Sequence, residues 1–430
     1  MRYLLIALLF VAFIYGCGCS NICSPAYGYV GDACDVWPAL FGTDNAGATD
    51  NGYVVFYDQN AAAWQAPRLI AADLLKAQWT PQRNSIGWFS GTDVLPGGKW
   101  NVSFIDQTGN DLMIYESPDD GWQDDAGAWA MTDSEATATW IAVDVESRQN
   151  YMWALLDEGN NNYYPMYINL GAGAPAWTIG DALAPISGTI QFSIVLDSNL
   201  FGLTHWAYVD NGDIKYGMNT STGYVGGSGT IQTSANYPQI IVDGEQRLWC
   251  FYTVGNVLFT KTYFDFPPDS SIDWILDDDA GIYTATVLTS AYHATWLAMD
   301  DTIHVILIDY DGGFPNMTFD LIYIRRTPNG WSAAITIDSW VLAVASGDAT
   351  AQVERLYPQI TVDTLGNISV MYIEVIAGPI GDLRQWYLDA SLYRVFDVPA
   401  NWVQSTDIEG TEDDVLWVVA PDSIPIAADM

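Results

Sequence analysis

An aspartate that closes an apolar strand returns along this chain at intervals of 46 to 63 residues, and an aromatic residue opening a further strand follows each one. No long 3.6-residue apolar period occurs beyond the extreme N-terminus. These observations predict an all-β chain folded as a β-propeller, because about fifty residues make four short strands and hence one blade. The cleanest copies are Tyr237-Pro238-Gln239-Ile240-Ile241-Val242-Asp243 and Tyr357-Pro358-Gln359-Ile360-Thr361-Val362-Asp363. Looser copies end at Asp93, Asp144, Asp197 and Asp300. The aromatic openings are Trp64, Trp122, Trp177, Tyr224, Trp274, Trp331 and Trp402.

Taken in chain order, the first element is a leader. Met1-Arg2-Tyr3 precedes an apolar run from Leu4 to Tyr15 and then Gly16-Cys17. A basic start and a short apolar core describe a secretory signal peptide over residues 1–16, too short to span a bilayer as a mature helix. Ile14-Tyr15-Gly16-Cys17 also resembles the bacterial lipobox, in which the Cys is lipidated, although Tyr15 departs from the small residue usual there. Free secretion and an envelope lipoprotein, periplasmic or outer-membrane, both fit. Residues 17–36 read as a Cys/Gly-rich linker holding Cys19, Cys23 and Cys34, where an oxidising compartment permits a disulfide. Cys250, within an apolar strand, reads as a buried small hydrophobe.

Residues 37–430 read as the propeller. Trp296 to Asp300 is expected as an inner strand and Asp300-Asp301 as its turn. Ile303 to Asp309 follows as a strand apolar on both faces, Phe319 to Tyr323 as a third, and Trp331 opens a fourth. Leu69 to Gln78 is the one stretch whose type the pattern leaves open. Seven aromatic openings follow only six clear aspartate turns. The strand Tyr53 to Tyr57 lacks an inner partner upstream, while Asp414 to Val419 lacks outer strands after it. Joining the two termini predicts a seven-bladed β-propeller with no exposed sheet edge, six blades with an appendage being the alternative.

The charge bounds the partners. Fifty-two acids face 14 bases, a net −38 that repels phosphate backbones and anionic membranes. Nucleic acid is therefore excluded, and membrane contact is expected only through an anchor at Cys17. Solubility explains the acids in general. Calcium is the functional reading of the Asp-rich turns at Asp119, Asp120, Asp277, Asp278, Asp279, Asp309 and Asp311, which supply the oxygens that ion needs without matching the EF-hand spacing. His205, His293 and His304 lack ligand spacing and read as structural. The aspartate repeated once per blade at a strand end reads as a turn cap.

Ser117-Pro118-Asp119-Asp120-Gly121-Trp122 and Thr327-Pro328-Asn329-Gly330-Trp331 resemble shortened Asp boxes, the BNR repeats of bacterial secreted proteins related to sialidases. That resemblance implies a propeller fold and a glycan as partner. It does not imply a reaction; the alternative reading is a glycan-active enzyme, a sialidase-like glycoside hydrolase or lyase with its site in the central funnel. Sialidases grip a carboxylate with three arginines and attack with a tyrosine; here Arg355 is the arginine best placed for that role, and no residue is assigned as catalytic. The inner-strand aromatics Phe89, Trp140 and Trp296, four residues before the repeated aspartate, and Tyr237 and Tyr357, six before it, share one side of their strands. They are candidates for stacking on sugar rings, with interblade packing as the competing reading. The expected role is a binding or interaction module for a glycan or a cell-surface or extracellular protein.

Overall fold

The computed structural model describes residues 204–220, 223–243, 247–263, 274–277, 280–288, 292–297, 302–311, 316–327 and 330–343, together with strand segments and single residues elsewhere between 39 and 419. The leader, Cys17 and the linker cysteines, Asp119, Asp120, Trp140, Asp278, Asp279, Arg355 and Tyr357 lie outside the described residues. Every described element is a β-strand. Leu69, on the stretch of undecided type, lies on the strand Arg68–Leu75.

The strands pair in antiparallel meanders. Sheet I (192–232) takes Phe192–Leu196, Thr204–Asp210, Asp213–Thr220 and Gly223–Gln232 in order. Sheet II (236–284) takes Asn236–Val242, Leu248–Val254, Val257–Tyr263 and Ile275–Leu276, with Tyr283–Thr284 pairing the same third strand. Sheet III (292–343) takes Tyr292–Leu297, Thr302–Asp311, Asn316–Thr327 and Gly330–Trp331, with Ile335–Ala343 also on the third strand. Sheet IV (359–404) takes Gln359–Val362, Ile368–Ala377, Ile380–Leu388 and Val403–Gln404.

Both faces of each inner strand are apolar because both are covered. Ala207, Ile214, Tyr216 and Met218 of sheet I pack with Ile240, Leu248, Cys250 and Tyr252 of sheet II. The opposite face of sheet II supplies Ile241, Trp249, Phe251 and Leu258, which pack with Ile303, Val305, Leu307 and Ile322 of sheet III. Ile306, Ile308, Phe319 and Trp340 then turn toward Ile360, Val370 and Tyr372 of sheet IV. Strict alternation along Ile303 to Ile308 thus sends odd residues one way and even residues the other. Burying each such side chain contributes about 1.5–3 kcal/mol, so no sheet is stable without its neighbours. Trp206 packs so closely on its cross-strand partner that a Cβ at Gly217 would lie 2.1 Å from the indole Nε1. Only glycine fits there.

Side chains also tie neighbouring first strands together where they are not paired with each other. Gln239, 4% exposed, donates to the Ala294 carbonyl at 3.0 Å and accepts from the Ala294 N–H at 2.8 Å. One step on, the His293 Nδ1 accepts from the Ile360 N–H at 3.3 Å. Gln239→Ala strands two buried backbone groups and is expected to cost about 1–3 kcal/mol in urea unfolding. A loss below a few tenths would show that water satisfies Ala294.

Two expectations shift by several residues. The first strand of sheet III is Tyr292–Leu297, earlier than the expected 296–300, because Leu297 already pairs with Thr302. Asp144 stands inside Ala142–Arg148 opposite Leu155, and the turn falls after Arg148, where Arg148 pairs with Tyr151. A tight hairpin is set where cross-strand pairing ends, not where the nearest acid stands.

Candidate functional site

Antiparallel meanders give each sheet two edges. The turn edge carries the link from first to second strand, such as Val242 to Leu248. The crossover edge carries the second-to-third hairpins, such as Asp210–Asp213, and the passage from one sheet to the next. The two edges of the groove between sheets II and III differ in chemistry.

On the turn edge, Asp243 is buried and accepts from the Arg247 N–H at 2.9 Å, the Trp249 indole N–H at 2.8 Å and the Arg247 Nε. This is the turn cap read from the sequence, extended to the following strand. Asp277 of sheet II takes Arg326 of sheet III in a two-pronged contact, Nε at 2.9 Å and Nη2 at 2.8 Å, and also accepts the Trp331 indole N–H at 2.8 Å. The Arg326 and Arg247 guanidiniums both lie over the Trp249 ring, 4.7 and 5.7 Å from its centroid. Such planar donors on carboxylate and indole form a latch between two sheets. Three donors converge on the carboxylate of Asp277, so its place in the structure is this latch. Among the described residues, no three His, Cys, Asp or Glu side chains gather as a metal site.

On the crossover edge the groove is lined by phenols. Tyr237, the second residue of the first strand of sheet II, has φ 55, a left-handed backbone rare for an aromatic residue. Its carbonyl accepts the hydroxyl of Tyr292, the first residue of sheet III. The Tyr283 hydroxyl of sheet II donates to Asp309 Oδ2 of sheet III at 2.9 Å, and the Thr286 and Val287 N–H groups reach Asp309 Oδ1 at 2.8 and 3.4 Å. Asp309 stands directly opposite Asp320 across the strands. Tyr310 follows on the opposite face of that strand, packed on Phe319 at 5.9 Å against the core between sheets III and IV. Tyr237, Tyr283, Asp309 and Tyr310 are half-buried, while Thr284, Thr286 and Asp311 are exposed.

Burial, then the hydrogen bond to Asp309 and the charges of Asp309 and Asp320, push the Tyr283 phenol well above its ordinary range. Burial, then the neighbouring Tyr237, push Tyr310 upward as well. These phenols are therefore hydrogen-bond donors at neutral pH. A tyrosine nucleophile needs the opposite shift.

Of the sequence candidates, Tyr237 lies in this groove, its ring half-buried against the core between sheets II and III. Trp296 lies opposite Ile303, and Phe89 opposite Lys99, and these two side chains are outside the described residues. The sequence offers Asp309 and Asp311 as calcium ligands; Asp309 accepts one phenol and two backbone amides, and Asp311 is exposed opposite Thr318. Sequence reasoning did not single out Tyr283, Tyr292 or Tyr310. Their only signal is position, each within a few residues of a sheet crossover or a strand end.

His205 and His304 take matching places on the second strands of sheets I and III. Each ring meets a third-strand phenol, Tyr216 or Tyr323, at 2.7 Å from Nδ1. Both are buried, as structural histidines should be.

No family model matches this chain, and no curated protein matches it in sequence. Solved structures do resemble it. The BP39L lectin of Burkholderia pseudomallei superposes with a TM-score of 0.57 at 15% identity, over 86% of this chain and 94% of that one. A mutant of AofleA from Arthrobotrys oligospora gives 0.45 at 11%, over 80% and 91%. The Aleuria aurantia lectin, described as a six-bladed β-propeller with a novel fucose recognition mode, gives 0.44 at 12%, over 76% and 96%. At such identities the likeness is one of fold, and the Burkholderia lectin carries it. The chain is an all-β protein of β-propeller fold.

Proposed function

We propose that this chain is a glycan-binding β-propeller module, and that sugar docks at the crossover edge of the groove between sheets II and III. The observation that carries the reading is the pair of half-buried tyrosines, Tyr237 and Tyr283, at that edge of the packed seam, set in a fold shared with a lectin. Half-buried tyrosines offer flat apolar faces and protonated hydroxyls together, which suits the alternating apolar and hydroxylated faces of a pyranose. Asp309 accepts hydrogen bonds and holds Tyr283 in place. A binding role fits better than glycan hydrolysis because the phenols are donors rather than activated nucleophiles.

The finer architecture belongs to the same proposal. Seven blades closed by the two termini are supported by the pairing of Leu40 with Val419 and Phe41 with Val418, which sets a C-terminal strand beside Ala39–Thr43. Gly330 at φ 109, just before Trp331, supports reading Thr327 to Trp331 as a degenerate Asp-box turn. Secretion, with or without an anchor at Cys17, would place the module where glycans are met.

The test is retention of the protein on a panel of immobilised polysaccharides and glycoconjugates, with and without calcium, scoring released sugar in the same wells. Tyr237→Phe removes one hydroxyl while keeping the ring packed. It is expected to weaken binding by about two- to tenfold, the worth of one hydrogen bond, with the melting temperature measured alongside to separate binding from stability. Retention untouched by the variant would move the site elsewhere. No retention on any glycan would overturn the reading, and released sugar would make the protein an enzyme.

A further inference from the structure

Asn211 and Gly212 form the two-residue loop of a hairpin in sheet I, closed by Asp210 opposite Asp213. Their φ values of 52 and 79 are the left-handed pair that a type I′ turn requires. Asn211 is exposed, and its Nδ2 donates to Asp210 Oδ1 at 2.9 Å. A Cβ built on Gly212 meets no atom within 4 Å, so the backbone following Asn211 is open on the side where a side chain would stand.

We infer that Asn211–Gly212 is a site of spontaneous covalent modification, at which the folded chain converts an asparagine to isoaspartate. The Gly212 nitrogen attacks the Asn211 side-chain carbonyl carbon, forming a C–N bond and closing a five-membered succinimide. The bond from that carbon to Nδ2 breaks, the Gly212 proton passes through solvent to the departing nitrogen, and ammonia leaves. Water then opens the ring. Addition at the side-chain carbonyl gives aspartate, and addition at the main-chain carbonyl gives isoaspartate. No oxidant or reductant is involved.

The site is favoured over asparagines followed by larger residues for a physical reason. A glycine nitrogen has no neighbouring Cβ to shield it, a feature that Asn211 shares in the sequence with Asn51 and Asn329. Asn256, also exposed and in a hairpin turn, precedes the β-branched Val257, and its Nδ2 is held by the Thr286 carbonyl at 2.6 Å. Asn236 precedes Tyr237. These two are internal controls within the same chain.

The product alters more than charge. Isoaspartate routes the backbone through Cβ, so a loop that closes with two residues gains an atom and the Asp210–Asp213 pairing is lost. The Gly212 carbonyl accepts from the Ala235 N–H at 2.9 Å, and Asp213 Oδ1 accepts from the Ser234 N–H at 3.1 Å. Those two bonds hold the crossover leading from sheet I into Asn236–Val242. Modification at Asn211 therefore loosens the passage between two sheets. This inference stands independently of the glycan reading.

The full-length folded protein would be aged in mildly alkaline buffer beside Asn211→Gln, digested, and mapped by mass and by enzymatic methylation of isoaspartate. The expected result is isoaspartate in the Asn211 peptide ahead of those containing Asn256 and Asn236, with a melting temperature that falls in the aged wild type but not in the aged variant. Conversion at Asn211 that appears only in urea, or that merely keeps pace with Asn256, would overturn the site. Conversion without any fall in melting temperature relative to the variant would overturn the link to the crossover.

Discussion

Asp243→Ala is expected to cost about 3–5 kcal/mol of stability, the scale for breaking a buried charge pair by removing one partner. The carboxylate is 1% exposed and receives the Arg247 N–H, the Arg247 guanidinium and the Trp249 indole N–H. Alanine leaves all three donors facing a void, and the Arg247 charge loses the group that neutralises it. The damage also spreads, because Trp249 carries Arg326 over its ring and Arg326 holds Asp277. Asp243→Asn keeps an acceptor for part of this set and should cost less than the alanine. Urea midpoints at neutral pH measure the effect. A loss under about 1 kcal/mol for the alanine variant would mean that the latch contributes specificity rather than stability.

Acid is expected to weaken the fold through His205. Burial lowers its pKa from 6.5 to about 3, so the native protein keeps the ring neutral where the unfolded chain takes up a proton. Between those values the unfolded state binds more protons, and stability therefore rises with pH and falls as pH drops from 6.5 toward 3. The slope reaches about 1.4 kcal/mol per pH unit, several kcal/mol across the full window. Carboxylates also titrate at the lower end, so the informative quantity is the difference between the wild type and His205→Gln. The variant gives up the 2.7 Å contact with Tyr216 and should start less stable at pH 7, yet lose less between pH 6.5 and pH 4.5. Parallel stability curves over that interval would show that His205 is not held neutral.

The sequence made much of this legible because its rules act over short distances. Alternation along Ile303 to Ile308 implied a strand covered on both faces, and odd and even residues do enter different cores. Asp243 was legible as a turn cap since the cap and its turn span five residues. Cys250 was legible as a buried hydrophobe for the same kind of reason, and it is fully buried and free. Asp144 misled because an acid is common within strands as well as after them; only the pairing of Arg148 with Tyr151 locates that turn.

The candidate site was far less legible. Tyr237 was read as an inner-strand aromatic, but nothing local places Tyr283 and Asp309 on either side of one groove, or sets Tyr292 against the Tyr237 carbonyl 55 residues away. Arg326 reaches Asp277 across 49 residues, and Gln239 reaches Ala294 across 55. By itself the sequence determined that the chain is all-β and repetitive, which residues face outward from each strand, and where several tight turns fall. The tertiary structure alone decided which copy's side chains meet which. A strand's period of two specifies the face a residue occupies, whereas its partner across the gap depends on how two sheets distant in the sequence settle against each other.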